Sequence, residues 1–94
     1  MIKKIINPLF FEDENGREYV IAEVNNMDEA FSEMRKFYLA RDFVIHYTRF
    51  WIEEHPMEES IAWRITFDVG SWTEFFHLYF DTFEQAEKFR DTMK

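Results

Sequence analysis

The side chains that could carry acid–base or metal chemistry are three histidines and nineteen carboxylates. The densest group surrounds His55, which is flanked by Glu53, Glu54, Glu58 and Glu59. Oxygen and nitrogen ligands at this density could hold a divalent cation. A solvated acidic loop accounts for the same spacing without a metal, and this is the interpretation we favour. We therefore predict neither a metal site nor a cofactor.

The remaining histidines, His46 and His77, fall in the third and fifth predicted strands. An acid–base pair between them would require those strands to be neighbours, and a simple meander keeps them apart. We expect surface histidines without a catalytic role. The serines have no histidine and acid at a recognisable spacing, and two glycines are too few for a phosphate-binding loop. The sequence thus predicts no catalytic residues and a protein that is not an enzyme.

The overall composition excludes several further classes of protein. The chain has 94 residues, no cysteine and a formal net charge of −8. We expect a single domain, residues 1–94, without disulfides or zinc-thiolate sites. The charge opposes direct binding to nucleic acid, and no run of about 18 apolar residues could span a membrane. We expect a cytoplasmic protein with no membrane partner.

Hydrophobic periodicity predicts the order β-β-α-β-β-β-α, an α+β fold with an antiparallel sheet and two helices packed on one face. The first two strands form a hairpin in residues 8–24, and the first helix spans about 27–41. The third strand falls within 43–53, ahead of a loop that begins at His55. Strict alternation in residues 61–69 marks the fourth strand, and strands three to five form a meander.

The hairpin and the helix starts carry local signals. Asn15-Gly16 predicts a two-residue type I′ turn, and Pro8 predicts that the first strand lies at an edge of the sheet. Asn26 begins the first helix, and Asp81 or Thr82 begins the second, since each precedes Glu or Gln by three residues. The strand pairs that follow from the turn are Phe11 with Val20 and Leu9 with Ala22.

The negative charge is concentrated in two segments. Residues 12–33 carry a net charge of −7, and residues 53–59 carry −4. Where the two predicted loops lie at the same end of the sheet, they would form one acidic ridge. This negative charge has two interpretations. It could serve only to keep a small domain soluble, or it could attract a basic partner and imitate the phosphates of nucleic acid. The residues that define the first acidic cluster are Asp13, Glu14 and Glu18, and those that define the second are Glu53, Glu54, Glu58 and Glu59.

Nineteen aromatic residues exceed what one face of a small sheet can bury. Alternation places Trp72, Phe76, Leu78 and Phe80 on the inner face of the last strand, with His77 opposite. In the third strand, one side carries Arg49, Trp51 and Glu53, and the other carries Thr48, Phe50 and Ile52. An exposed strand face of this kind favours protein binding unless the hairpin or a helix covers it. The candidate anchors are Trp51, Phe75 and Tyr79.

Residues 27–94 follow the order α-β-β-β-α, which resembles the double-stranded-RNA-binding domain at the level of element order. That family grips phosphates with a basic cluster at the start of its second helix. Residues 81–88 occupy this position here, and they are acidic. The resemblance therefore implies no RNA binding.

These observations predict a small acidic, non-enzymatic protein-interaction module that binds a basic protein surface. Cysteine-free acidic chains rich in Phe, Ile, Lys and Glu resemble accessory proteins of phages and mobile elements, which suggests a nucleic-acid mimic that inhibits a nucleic-acid-binding host protein. One alternative is a ligand-binding or catalytic domain with a pocket between sheet and helices, lined by His46, Arg64, His77 and Tyr79. Another is a homodimer that pairs sheet faces or edges.

Overall fold

The computed structural model describes residues 7–40, 48–70 and 73–93. Within them the elements follow the predicted order, so the α+β fold is confirmed. His46, Trp72 and the first residues predicted for the third strand lie outside the described residues. The elements are β1 (Asn7–Glu12), β2 (Glu18–Val24), α1 (Met27–Ala40), β3 (Arg49–Pro56), β4 (Ile61–Asp68), β5 (Phe75–Phe80) and α2 (Phe83–Arg90).

The strands form one antiparallel sheet in the order β2-β1-β5-β4-β3. The predicted meander of β3, β4 and β5 is confirmed, but β1 lies inside the sheet between β2 and β5. The edge position predicted from Pro8 is therefore wrong for the strand. β1 pairs with β5 only from Phe10 to Glu12, so Pro8 lies beyond that ladder, where its missing N–H breaks no hydrogen bond to β5.

The β1–β2 turn is one residue longer than predicted. The Gly16 N–H donates to the Asp13 carbonyl at 3.0 Å, and Gly16 has a φ of +80°. The Asp13 carboxylate also accepts from the N–H groups of Asn15 and Arg17, at 2.9 and 3.0 Å. These bonds hold the chain in a turn followed by a left-handed glycine, the three-residue type of hairpin loop.

The longer turn shifts the register of the hairpin, and a bulge then restores it. Phe11 pairs with Tyr19 rather than with the predicted Val20, because the turn contains the extra residue. The register shifts back between Leu9 and Phe10. The predicted pair of Leu9 with Ala22 is consequently confirmed.

Both helices begin with a side-chain cap. Asn26 Oδ1 accepts from the Glu29 N–H at 2.9 Å, although the Glu29 carboxylate reaches back to the N–H of Asn25 and not to that of Asn26. Of the two possible starts of α2, Thr82 is the cap, in a reciprocal box with Gln85. No described helix is long and apolar enough to cross a bilayer.

The two helices cover the same face of the sheet, as predicted. Phe31 and Phe37 of α1 contact Phe67 and Phe76 of the sheet, and Phe89 of α2 packs on Phe80. This face holds the core. The core residues with no exposed surface are Leu9, Phe11, Val24, Met27, Ala30, Ile65, Phe67, Phe76, Leu78 and Ala86.

Candidate functional site

The face of the sheet opposite the helices carries a connected group of polar and aromatic side chains, and we call it the open face. Successive residues of a strand point to opposite faces, and the register of the ladders brings the alternate positions of the five strands into rows. In the described part of the chain neither helix packs on it. Its side chains are Phe10, Glu12, Glu18, Arg49, Trp51, Glu53, His55, Arg64, Thr66, Asp68, Phe75, His77 and Tyr79.

The centre of the open face is a chain of three polar groups. Glu12 Oε1 lies 2.6 Å from His77 Nε2, and Thr66 Oγ1 lies 3.0 Å from His77 Nδ1. His77 and Thr66 are 1% and 3% exposed. His77 does lie opposite the core-facing residues, but the prediction of a surface histidine is wrong. Phe10 and Thr66 flank it on the two adjacent strands and exclude water from the ring.

Burial lowers the pKa of His77, and the hydrogen bond that the ring donates to Glu12 opposes this effect without cancelling it. The ring is therefore neutral at pH 7. The carboxylate can only accept, so the chemistry of the partners assigns the N–H to Nε2, and Nδ1 accepts from the Thr66 hydroxyl. Every polar atom of the imidazole then has a partner.

The order carboxylate–imidazole–hydroxyl is that of a nucleophilic hydrolase. In such enzymes the hydroxyl oxygen attacks the substrate, so a substrate atom must reach it. Thr66 is only 3% exposed, and Trp51 is its cross-strand neighbour on β3. In the described conformation this hydroxyl is therefore almost closed to solvent, and the three groups form a buried polar cluster within the open face.

A second chain of polar groups crosses the open face beside the first. Arg64 forms an ion pair with Glu53 through Nε and donates from Nη1 to the Tyr79 hydroxyl at 3.5 Å. The Tyr79 hydroxyl donates to Glu18 on β2, and Trp51 Nε1 donates to Glu53. The chain therefore ties the edge strand β3 through β4 and β5 to β2 at the opposite edge.

The pKa shifts along this chain follow from burial and from the partners. Burial and the hydrogen bond to Glu18 raise the pKa of Tyr79 to about 12, against the opposing effect of Arg64. Burial on its own would raise the pKa of Glu53, but the hydrogen bonds from Trp51 and Arg64 bring it below its usual value. Tyr79 is thus a neutral donor at pH 7, and Glu53 is ionised.

The predicted aromatic anchors lie together on the open face. Trp51 is 39% exposed, while Phe75 and Tyr79 are half-buried. The predicted partition of the third strand is confirmed, since Phe50 and Ile52 pack against the core. The His55 ring lies 5.1 Å from the Tyr79 ring. His55 and Pro56 end β3, so the loop predicted from His55 begins after Pro56.

The two acidic clusters do not form a single ridge. The hairpin tip with Asp13 and Glu14 follows the end of β1, whereas the loop with Glu58 and Glu59 follows the end of β3. Glu12 lies level with Phe75 at the start of β5, and Pro56 pairs with Ile61 at the start of β4. Antiparallel pairing places these two turns at opposite ends of the sheet.

The acidic residues also differ in role. The backbone hydrogen bond from Arg17 lowers the pKa of Asp13, which supports the turn. Glu18 and Glu53 lie on the open face within the second polar chain. Glu54 pairs with Trp63, which packs against α2 through Phe83, so Glu54 lies on the helix side. No group of three or more metal-ligating side chains occurs in residues 7–40, 48–70 and 73–93.

Sequence reasoning did not identify Glu12 or Thr66 as site residues. The available signal was the alternation in β4, which places Thr66 on the same side as Arg64 and Asp68. The pairing of β1 with β5 brings Glu12 to His77, and these residues are 65 positions apart. Comparison of the chain with protein-family models, with characterised proteins and with solved structures finds no match.

Proposed function

We propose that this protein is an interaction module that binds a basic protein surface through its open face. The observation that carries the proposal is a sheet face with half-exposed aromatic side chains, no helix over it in the described chain, and carboxylates around it. Trp51, at 39% exposure, is its most exposed aromatic residue. Aromatic residues are enriched at the centre of a protein interface, and polar and charged groups form the rim around that centre.

The charges on the open face favour one side of it for a basic partner. Glu53 and Asp68 are paired with Arg64 and Arg49. The carboxylates of Glu12 and Glu18 bond to neutral groups, His77 and Tyr79, so within the described residues no ion pair compensates their negative charge. A Lys or Arg side chain of a partner would therefore be drawn to the side formed by β1 and β2.

The hairpin tip extends the same negative region. Asp13 and Glu14 follow Glu12 directly, and Glu14 is exposed. With a formal net charge of −8, the chain would be steered towards a positively charged surface. A nucleic-acid-binding protein presents such a surface, and occupation of it by this chain would inhibit that protein.

A defined cationic probe tests the proposal. We expect a labelled Arg-rich peptide to bind at about 50 mM salt and to weaken steeply at about 300 mM, whereas the same peptide with Gln in place of Arg does not bind. Glu18→Lys should weaken binding about tenfold or more. Glu84→Lys makes the same charge change on the exposed side of α2 and should have little effect.

The aromatic anchor has its own variant and control. Trp51→Ala should weaken binding of the peptide, and Met57→Ala, which removes another exposed apolar side chain, should not. Equal losses in Glu18→Lys and Glu84→Lys would mean that only total charge matters, which overturns the proposal. Light scattering that shows a dimer of wild-type protein and a monomer of Trp51→Ala would also overturn it, because a second copy would then occupy the open face.

A further inference from the structure

A cleft of about 400 Å³ lies where β1 and β5 separate. The two strands form a ladder only between Phe10–Glu12 and Phe75–His77. Beyond it, the start of β1 pairs with β2 alone and the end of β5 pairs with β4 alone. Facing strand segments that exchange no ladder bonds leave room between them, and α2 closes the space on the helix side.

The cleft has an apolar floor and a polar wall. Phe80 and Phe89 form the floor, and their rings are 5.5 Å apart. The volume is in the range of small-molecule sites, which combine apolar surface with a few polar groups. The other lining residues are Asn7, Asn25, Tyr79, Asp81, Gln85, Lys88 and Thr92.

One polar atom of the wall lacks a partner. Asn25 Oδ1 is buried and accepts no hydrogen bond. Asn25 Nδ2 donates to Glu29 Oε1 at 3.3 Å, and this bond distinguishes the nitrogen of the amide from its oxygen. A buried acceptor without a donor destabilises the fold, and an N–H group of a bound molecule would satisfy it after a small rotation of the amide.

Among the described residues, the cleft is lined by one group of each charge. Asp81 and Lys88 line it, and neither side chain forms an ion pair with another residue of the described ranges. Glu84 is four residues before Lys88, the spacing of a helical ion pair, yet no bond between them forms. As far as the structure describes the chain, the cleft therefore presents a carboxylate and an ammonium group without an ion-pair partner beside an apolar floor.

We propose that this cleft binds a free α-amino acid with an apolar side chain. The α-ammonium group would face Asp81 and the Asn25 oxygen, the α-carboxylate would face Lys88, and the side chain would pack on Phe80 and Phe89. A ligand with only negative charge, such as a phosphate ester, fits less well, because the single cation is accompanied by Asp81. This inference does not rest on the proposed interaction with a basic partner.

Three related probes separate the roles of the two charges. We expect L-leucine to give saturable NMR shifts at the backbone amides of Gln85, Lys88 and Phe89, with a Kd on the order of 1 mM. N-acetyl-L-leucine lacks the ammonium charge, and L-leucinamide lacks the carboxylate. Each should bind about tenfold more weakly.

Two variants complete the design. Lys88→Gln should weaken L-leucine and N-acetyl-L-leucine but leave L-leucinamide unchanged, and Asp81→Asn should weaken L-leucine and L-leucinamide but leave N-acetyl-L-leucine unchanged. Lys36→Gln and Asp28→Asn are the matched controls on α1. Should a variant fail to fold, the comparison of the three probes on wild-type protein still decides.

The outcomes that overturn the inference are specific. They are the absence of saturable shifts with L-leucine at about 20 mM, some twentyfold above the expected Kd, and equal binding of the three probes. Shifts confined to residues outside the cleft would also overturn it. None of these results bears on the Arg-rich peptide, so the two proposals fail independently.

Discussion

Glu12 and His77 meet across β1 and β5, with Oε1 and Nε2 2.6 Å apart. They lie at the only part of the two strands that forms a ladder, in which Phe10 pairs with His77 and Glu12 with Phe75. This short ladder joins the N-terminal hairpin to the β3-β4-β5 meander. A buried titratable ring therefore sits at the seam between the two halves of the sheet, and its protonation should affect their association.

We expect the free energy of unfolding to fall as the pH decreases below about 6.5. Burial lowers the pKa of His77 from the ordinary value of 6.5, so the unfolded chain binds this proton more readily than the folded chain. The stabilising contribution is fully present above the unfolded pKa and is lost as the pH falls towards the folded pKa, by up to about 1.4 kcal/mol per pH unit. Urea unfolding at several pH values between about 7.5 and 5.5 measures this.

Two histidine variants isolate the source of that pH dependence. His77→Gln should remove most of it, and His55→Gln, on the same face, should retain it. The lowered pKa values of Asp13, Glu53 and Asp68 add a loss of stability only at more acidic pH, near the ordinary carboxyl values. If the free energy of unfolding depends on pH equally in wild type and in His77→Gln over the upper part of this pH range, groups other than His77 cause the dependence.

The Thr66 hydroxyl should contribute to stability through the Nδ1 atom of His77. Thr66→Val keeps the shape of the side chain but leaves a buried acceptor without a donor, and we expect a loss of about 1–3 kcal/mol in the free energy of unfolding. Thr66→Ser keeps the hydroxyl and should recover most of the hydrogen-bond contribution. Equal losses in the two variants would attribute the effect to the methyl group and its packing.

The order of elements could be read from the sequence because it depends on local patterns. Alternation in residues 61–69 and the caps at Asn26 and Thr82 are determined by neighbours a few positions away. The placement of β1 beside β5 could not be read in this way, since a pairing between residues 65 positions apart leaves no local signal. For the same reason the burial of His77 was missed, although its face was correct.

The hairpin shows the same limit on a smaller scale. Asn15-Gly16 is the usual signal for a two-residue turn, and that rule takes into account only the two central residues of the turn. The Asp13 carboxylate, which accepts from two backbone N–H groups, favours the longer turn instead. The predicted acidic ridge required two loops to lie at the same end of the sheet. Which loops share an end depends on the order of the strands in the sheet, and local sequence patterns do not contain that order.

Tyr79 should titrate well above the ordinary value of a tyrosine. Its pKa is raised to about 12 by burial and by the hydrogen bond to Glu18. Glu18→Gln replaces the carboxylate with a neutral acceptor and should lower this pKa, since an anionic neighbour opposes ionisation. An NMR titration of ¹³Cζ-labelled tyrosine follows the resonance directly, with Tyr79→Phe to assign it. A Tyr79 pKa near 10 in wild-type protein would mean that the Arg64–Tyr79–Glu18 chain does not form in solution.

The glycine in the hairpin turn should be required for its backbone conformation and not for space. Gly16 has a φ of +80°, and a Cβ atom added there would meet nothing within 4 Å. Gly16→Ala should therefore cost about 1–2 kcal/mol in the free energy of unfolding through backbone strain alone. Asn tolerates the left-handed region better, so Gly16→Asn should cost less. Chemical denaturation of the two variants and wild type measures the difference, and a Gly16→Ala variant as stable as wild type would show that residue 16 need not keep its positive φ in the folded protein.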